Sequence, residues 1–381
     1  MTESLCVRPV RTPRDLRAMV LFPWQLYRND PLWVPPIVAD RLARFDPASN
    51  PMLRHGEAQA FIARRGGRIV GTVAAAIDRE LDSLIGDKAY ASLGFFECVN
   101  DVAVAEALVS AARDWARARN IRTLRGPYNL TPYDEPGLLV EGRDRPPPIL
   151  CAHTQLYYLD LFDRLGFHPW GPDLVCYGIS ATEYGSDINR LPPKLLRVAE
   201  AVRTRSGAVV RSVRLEDWDN EIERARVLYN KSLAVLPDFS PLGALEFQQQ
   251  AEAFKPLVDP DLALFVQVSD KPVGFVLAFP DANAALMHCN GLRYPWDYVR
   301  LWWHTRRIKS ISFKILALDP DYWGRGLDAL MYLALAKATL RKGYTWMDMS
   351  LTGEDNPQTN KLATLVGARV YKRYRIFELA L

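Results

Sequence analysis

Residues Ile315–Leu330 read ILALDPDYWGRGLDAL, and the rest of the chain is best read outward from them. Ile315–Leu318 is an apolar run of strand length. Asp319-Pro320-Asp321 ends it, because proline has no ladder donor and aspartate favours turns. Gly324 and Gly326 follow, and Leu327, Leu330, Met331, Ala334, Leu335 and Ala338 then recur at helix spacing. The pattern predicts strand, glycine-bearing turn and helix. Such a turn presents unpaired backbone N–H groups at the positive end of a helix dipole, which suits a phosphate. A tight connection without a ligand is the plainer reading of the same two glycines.

Downstream, Leu351–Ala368 reads LTGEDNPQTNKLATLVGA. Together the two segments resemble the GNAT acyltransferase family. Members carry Gln/Arg-x-x-Gly-x-Gly/Ala after the fourth strand, where it holds the pyrophosphate of coenzyme A. Here the frame runs from Trp323 to Asp328. Gly326 matches the central glycine, Trp323 replaces the first Arg or Gln, and Asp328 replaces the last Gly or Ala. Asp319-Pro320-x-Tyr322 also fits the family. Asn356, Thr359, Leu362 and Gly367 match the later Asn-x-x-Ala-x-x-Leu-Tyr-x-x-x-Gly-Phe pattern, whose tyrosine, commonly the general acid, is Ala363 here. The resemblance implies a thioester carbonyl held by the backbone of Leu316, Ala317 and Leu318. It implies a donor site completed by Trp323, Gly324, Arg325, Gly326, Leu327 and Asn356.

The chain has 381 residues, of which 49% are apolar and 24% charged, an ordinary globular composition long enough for two domains. A net charge of +4 without a long basic run argues against nucleic acid. Met1–Arg11 lacks a hydrophobic signal region, and no apolar run approaches the roughly 18–20 residues of a spanning helix. The five cysteines are scattered without metal-ligand spacing, so a reduced, cytoplasmic protein without a metal is expected.

In chain order, Leu5–Val10 reads as a strand, and Thr12-Pro13 as a helix cap and first position. The helix runs into Phe22–Tyr27, and Asn29–Pro36 then reads as a rigid aromatic loop, taken as core packing with an apolar ligand lining as the alternative. Gln59–Arg64 and Ile69–Ile77 form a hairpin, Tyr90–Glu97 a strand, Val104–Trp115 a helix and Leu124–Pro127 a strand. This is the element order of a GNAT domain. Cys98-Val99-Asn100-Asp101, at the phosphate position, has no glycine and ends in an acid, so this half is not expected to bind coenzyme A in the usual way. The spacing of Gln155, Tyr158, Leu161, Phe162 and Gly166 repeats that of Asn356, Thr359, Leu362, Ala363 and Gly367, which argues for two copies of one fold. The polar stretch Ser180–Pro193 makes the boundary. The expected fold is α/β of the α+β type, with domains at 1–185 and 186–381. Each is a mixed, mostly antiparallel sheet flanked by helices, and Val370–Leu379 closes the second.

Three further features carry chemistry. Gly126–Gly142 is rich in turn formers and holds Asn129, Tyr133, Asp134 and Glu135. It reads either as a solvated loop or as the polar mouth of a pocket. An amine arrives protonated near neutral pH, and a carboxylate binds it and accepts its proton; Glu135 is the first candidate and Asp134 the second. In Cys151-Ala152-His153, alternation puts the cysteine and histidine on one face if the piece is extended. His153 is an alternative base, and Tyr157 and Tyr158 are acceptor-site candidates that could also protonate a leaving thiolate. Gly291–Lys309 holds three tryptophans, two tyrosines and five Lys/Arg against one acid, Asp297. With Arg306 and Lys309 continuing the helical wheel its amphipathicity is poor. It reads either as a cover over the second core or as an interfacial element in which Trp302 and Trp303 meet lipid.

The loop Arg125–Leu139, the Phe95-Phe96-Glu97 strand end and the Asn290-Gly291-Leu292 turn resemble a bacterial tandem-GNAT group that includes ceramide synthases. The resemblance implies N-acylation of a long-chain sphingoid base. The donor would be acyl-CoA or an acyl carrier protein thioester acting as co-substrate, with no permanently bound cofactor. The second domain would bind the donor and the first the acceptor. Peripheral contact with the inner membrane face accompanies this reading. An acyltransferase acting on another amine, a non-catalytic thioester or lipid binder and a membrane-surface adaptor remain as alternatives.

Overall fold

The computed structural model describes residues 4–86, 89–181, 187–235 and 241–381. The expected boundary at 185 lies outside them. The strands, in chain order, are β1 (Leu5–Pro9), β2 (Gly56–Arg65), β3 (Arg68–Asp78), β4 (Ala91–Cys98), β5 (Thr123–Gly126), β6 (Leu138–Glu141) and β7 (His168–Pro169), then β8 (Leu174–Ser180), β9 (Val209–Ser212), β10 (Ala263–Val268), β11 (Lys271–Pro280), β12 (Ser310–Leu318), β13 (Trp346–Gly353), β14 (Arg369–Arg375) and β15 (Phe377–Ala380). Two compact units form. The first holds Met1–Val175, Ala285–His304 and Lys372–Leu381, and the second Cys176–Ala284 and Thr305–Tyr371.

In the first unit the sheet order is β1-β2-β3-β4-β5-β15-β7. β1 to β4 are antiparallel neighbours, β4 and β5 run parallel, and β15 is antiparallel to β5 and β7. The helix Pro13–Leu21 starts as its sequence predicts, with Thr12 Oγ1 accepting the Asp15 amide at 3.1 Å. The helix Val102–Arg117 buries Val104, Ala105, Leu108, Val109, Ala112 and Ala116, a stripe at 3.6-residue period, in a core with Ala63, Val73, Ala75 and Leu93 of the sheet. Burying a leucine such as Leu108 typically contributes about 2–5 kcal/mol against truncation to alanine.

The single closing strand expected over Val370–Leu379 is two strands broken at Ile376, and the second of them lies in the first unit's sheet. Arg125 of β5 explains the attachment. Its guanidinium meets Glu378 of β15 at 2.8 and 2.9 Å and is flanked by the rings of Tyr90 and Trp170 at 4.1 and 3.8 Å. A planar, delocalised cation suits this position better than an ammonium.

In the second unit the order is β14-β8-β13-β12-β11-β10-β9. β9 to β12 are antiparallel neighbours and β12 runs parallel to β13. The helix Leu327–Arg341 lies where the sequence places it, and Trp218–Leu233 is a second long helix of this unit. Pro193–Ser206 and Ala244–Phe254 are further helices that the sequence reading did not include, and the first buries only Leu195 and Ala199. Among the described residues, no helix is long and apolar enough to cross a membrane.

Each unit contains a pair of parallel strands that part after a few rungs. β12 and β13 pair from Ser310↔Trp346 to Phe313↔Met349, although the strands run on to Leu318 and Gly353. At this fork Lys314 Nζ donates to Ser350 Oγ at 2.6 Å. β4 and β5 pair only at Ala91↔Leu124 and Ser92↔Arg125. Beyond those rungs the chain's own Pro127–Asn129 segment lies across β4, with the Tyr128 amide donating to Leu93 O at 2.8 Å and the Phe95 amide to Asn129 Oδ1 at 3.1 Å. Gly94 permits this approach, because a Cβ there would lie 1.4 Å from Tyr128 O.

Gly94→Ala is therefore expected to lower stability by about 3 kcal/mol or more in chemical denaturation, since backbone must move. Gly243→Ala, whose new methyl meets only Glu246 Oε2 at 3.7 Å, should change it by less than about 1 kcal/mol. Equal effects of the two substitutions would remove the crossing as a constraint.

Candidate acyl-transfer site

The donor turn has the predicted form. β12 ends at Leu318, a short turn covers Pro320–Tyr322, and Gly326, at φ 79°, caps Leu327–Arg341 with no side chain on the first amides. Glycine is required there twice. The backbone is left-handed, and a Cβ would meet Val202 and Val198 at 2.8 and 3.0 Å. Gly324 is also left-handed, at φ 71°, but nothing lies within 4 Å of its missing Cβ. Arg325 is exposed, 5.0 Å from the Tyr322 ring, a cation of the right sign for a phosphate. Asp328, in the helix's first turn, has the opposite sign.

Other predicted donor residues have partners of their own. The Leu318 amide donates to Ser232 Oγ at 3.2 Å, and its carbonyl accepts Trp323 Nε1 at 2.9 Å. Leu316 and Ala317 are paired with Val276 and Phe275 of β11, on the edge away from the fork. Asn356 caps Pro357–Leu365, its Oδ1 accepting the Gln358 and Thr359 amides at 3.1 and 3.3 Å.

The equivalent turn of the first unit is filled by protein. Asp101 Oδ1 accepts the Ala103 and Val104 amides at 2.9 and 3.4 Å, and Oδ2 meets Arg65 at 2.8 Å. The Arg65 hydrogen bond holds its carboxyl below the usual range. The Cys98 amide donates to Tyr158 Oη at 3.0 Å, and Cys98 O accepts Tyr157 Oη at 2.6 Å. The acid predicted to spoil this turn thus occupies the amides that a phosphate would use.

The first unit gathers the acid–base candidates, and their geometry differentiates them. Glu135 is bound through both oxygens to Arg41 at 2.5 and 2.6 Å and accepts Asn129 Nδ2 at 2.9 Å. Both of its oxygens are thus engaged by donors of the protein. Asp134 meets Arg44 at 2.5 Å, and burial pushes its carboxyl up to about 6 despite that partner. Tyr133 is exposed. Tyr158 is buried in the core and turns its hydroxyl to Glu97 at 2.7 Å.

His153 has the partner a base needs. Its Nε2 lies 2.7 Å from Asp30 Oδ2. Burial would raise Asp30, but the His153 and Leu32 hydrogen bonds outweigh it and hold the carboxyl low. An ionised Asp30 only accepts, so Nε2 carries the proton and Nδ1 presents a lone pair. That Nδ1 is buried and has no hydrogen-bond partner among the described residues. Burial also pushes His153 below its ordinary value, against the pull of Asp30, so the ring is neutral at pH 7.

Three residues were read for other reasons or not at all. Glu97 was read as the end of the Phe95-Phe96-Glu97 strand and given no role as acid or base, yet Tyr158 and Tyr27 donate to its Oε2 at 2.7 and 3.2 Å. Burial drives its carboxyl up to about 7 against those two hydrogen bonds, and the residue keeps some solvent access. Tyr27 Oη is also 3.2 Å from His153 O, and its ring stacks on Trp33 at 5.2 Å. Arg41, over the Phe95 ring at 5.7 Å, favours the Glu97 anion. The available signal was a carboxylate ending an apolar strand, Phe95-Phe96-Glu97-Cys98, and an acid, Asp30, inside an aromatic loop.

No family model matches the chain. It is 30% identical over 384 residues to the bacterial ceramide synthase of Caulobacter vibrioides, a match spanning 99% of this chain and 98% of that protein. It is 28% identical over 378 residues to protein YghO of Escherichia coli, spanning 98% and 94%. Among solved structures, the tandem GNAT protein from the clavulanic acid biosynthesis pathway superposes with a TM-score of 0.58 at 13% identity, over 99% of this chain and 98% of that one. A GCN5-related N-acetyltransferase from Sphaerobacter thermophilus gives 0.53 at 12% identity, over 99% and 95%. These two likenesses speak to the fold. With an open glycine turn in one unit, a closed one in the other and a full-length relative at 30% identity, the chain belongs to the family of the bacterial ceramide synthase and is a tandem GNAT acyltransferase.

Proposed function

We propose that the chain transfers a fatty acyl group from acyl-CoA, or from an acyl carrier protein thioester, to the amine of a long-chain sphingoid base. The name of its full-length relative supports the substrate class. The second unit binds the thioester at Gly324–Leu327, with Arg325 on the phosphates. The first unit serves the acceptor. Contact is peripheral, at the inner face of the membrane.

One observation carries the chemistry: Tyr27 touches two proton acceptors of different kinds, its hydroxyl lying 3.2 Å from Glu97 Oε2 and its ring 5.8 Å, centroid to centroid, from the His153 imidazole. N-acylation of a protonated amine releases two protons from nitrogen. Glu97, at about 7, takes the first and leaves a nucleophilic amine. The nitrogen attacks the thioester carbonyl, His153 Nδ1 accepts the second proton, the C–S bond breaks and the thiolate leaves, to be protonated from solvent. Glu135 and Asp134 are assigned to holding Arg41 and Arg44, and Asn129, Tyr133, Tyr157 and Tyr158 to shaping the acceptor side.

His153→Ala and Glu97→Gln should each lower turnover about 10²–10⁴-fold with soluble substrates. In the parent, kcat/KM should rise with pH through about 7 as Glu97 ionises, and Glu97→Gln should abolish that limb. Near-normal turnover in both variants would overturn the assignment.

Glu97 also affects stability. Its folded value lies above the unfolded 4.5, so between 4.5 and about 7 the folded state binds more protons and stability falls as pH rises. Glu97→Gln should remove this fall and raise stability at pH 8 by up to about 3 kcal/mol, less in proportion to the residue's solvent access. Urea titrations at pH 5 and pH 8 measure it.

For the donor, Gly324→Asp tests the turn: the new side chain meets nothing within 4 Å, and aspartate is among the residues that best tolerate the left-handed backbone at φ 71°. Thioester affinity, followed by calorimetry, should fall at least tenfold, about 1.4 kcal/mol. Unchanged affinity would remove the donor from this turn.

A further inference from the structure

His153 is held by its backbone as well as by its ring. Tyr27 Oη donates to its carbonyl oxygen at 3.2 Å, and the next carbonyl, that of Thr154, accepts Arg143 Nη1. Arg143 Nη2 donates to Leu139 O of β6, and the Leu139 amide donates to Thr154 Oγ1 at 2.9 Å. One guanidinium therefore ties the segment that carries the imidazole to a strand. That strand is paired in turn with β14, Tyr374 facing Leu139 and Arg375 facing Leu138. The loop that carries Arg143 is fixed from the same side. Lys372 of β14 is fully buried, and its Nζ donates to Gly142 O and, at 2.7 Å, to Arg145 O. A planar fork of fixed donors suits two carbonyls on neighbouring segments, and a single ammonium lacks that geometry.

The same guanidinium is a charge beside the imidazole. Its Nη atoms meet carbonyl oxygens, which carry no net charge, and its Nε is buried with no hydrogen-bond partner among the described residues. The groups that face His153 are Asp30 at Nε2, Tyr27 with its ring 5.8 Å away, Lys372 and Arg143. Burial disfavours the imidazolium, Asp30 favours it, and Lys372 and Arg143 add to the effect of burial. Like charges at short range oppose protonation wherever the surroundings are poor in water.

We propose that Arg143 is the positioning residue of His153: its fork fixes where the imidazole sits, and its charge keeps Nδ1 unprotonated. That His153 then serves as a base rests on the function proposed above. The control of its position and charge does not.

A pH titration of the full chain, followed by the carbon and nitrogen NMR signals of the imidazole, tests it. His153 is identified as the one of five histidines whose signal is lost in His153→Gln. Arg143→Met removes the neighbouring charge and should move the His153 midpoint up by about one pH unit. Its turnover at pH 6.5 relative to pH 8.5 should fall at least threefold below the parent's ratio, a change that mere loosening of the fold would not produce. Arg143→Lys keeps the charge and loses the fork, so the midpoint should stay with the parent's while turnover falls about tenfold or more. Should Arg143→Met misfold, Arg143→Gln, whose amide still donates to a carbonyl, provides the same comparison. An unmoved midpoint in the folded neutral variants overturns the proposal, whatever turnover does. So does Arg143→Lys with the parent's turnover, which would show that the fork positions nothing. A midpoint that rises as expected in a chain that acylates no amine would uphold the control of His153 by Arg143 and count against the enzymatic reading.

Discussion

The first amides of a helix have no partner inside it, and what meets them separates the two units. In the first, Asp101 takes two of them while Arg65 neutralises its charge. The requirement is met by protein, and an incoming phosphate would have to displace a carboxylate. In the second, the cap is Gly326, which has no side chain to offer. Nor can another residue easily take its place. Val198 and Val202 of the helix Pro193–Ser206 close the space, and the backbone is left-handed. The glycine is fixed by packing and by conformation together, and the open amides follow from both.

The forks behind these turns follow the same logic. Parallel strands that stop pairing leave backbone groups on their facing edges, and burial makes such groups costly unless they find partners. The first unit supplies them from its own chain, laying Pro127–Asn129 across β4. In that segment Asn129 accepts the Phe95 amide and donates to Glu135, which Arg41 holds through both oxygens, and around these bonds Phe95, Leu130 and Glu135 have φ values of 47°, 84° and 48°. Strained backbone persists only where its surroundings over-determine it. The first unit is thus tightly specified here, and the same strand, β4, carries Glu97, a carboxylate that burial pushes up to about 7 while the Tyr158 and Tyr27 hydrogen bonds and Arg41 favour its anion.

Much of this was legible. The strand-turn-helix of Ile315–Leu330, the hairpin at Gly66-Gly67, the Thr12 cap and the acid at Asp101 before a helix are local features, set by spacing and turn chemistry. The contents of the first-unit cluster were not. Asp30 and His153, or Tyr27 and Glu97, lie tens of residues apart, and no periodicity joins them. Glu135 looked like the base because it is an acid in a loop of turn formers; its pairing with Arg41, 94 residues away, could not be read from that loop. The strand at Val370–Leu379 was recognised as extended, but not its break at Ile376, because both halves are good strand sequence and only the Arg125–Glu378 pair shows where the second half belongs.

Aromatic residues illustrate the limit most directly. Phe22–Pro36 and Gly291–Lys309 are both rich in aromatic residues, and a core cover is one reading of each. The first behaves so: Tyr27 is 2% exposed and stacks on Trp33. The second turns most of its aromatic surface to solvent. What decides between them is where the helix stops. Continued to Lys309, the wheel mixes arginine with tryptophan and no face emerges. Stopped at Thr305, it separates into a buried side around Asp297 and an outward aromatic side. An inward acid on an outward-apolar helix inverts the usual pattern of a soluble protein, and the inversion is held by a bond from the Tyr294 amide to Asp297 and by Trp24. Trp24 belongs to the buried loop and Asn290 to the segment before the exposed helix, so one hydrogen bond joins the loop that holds Asp30 and Tyr27 to the outward aromatic face.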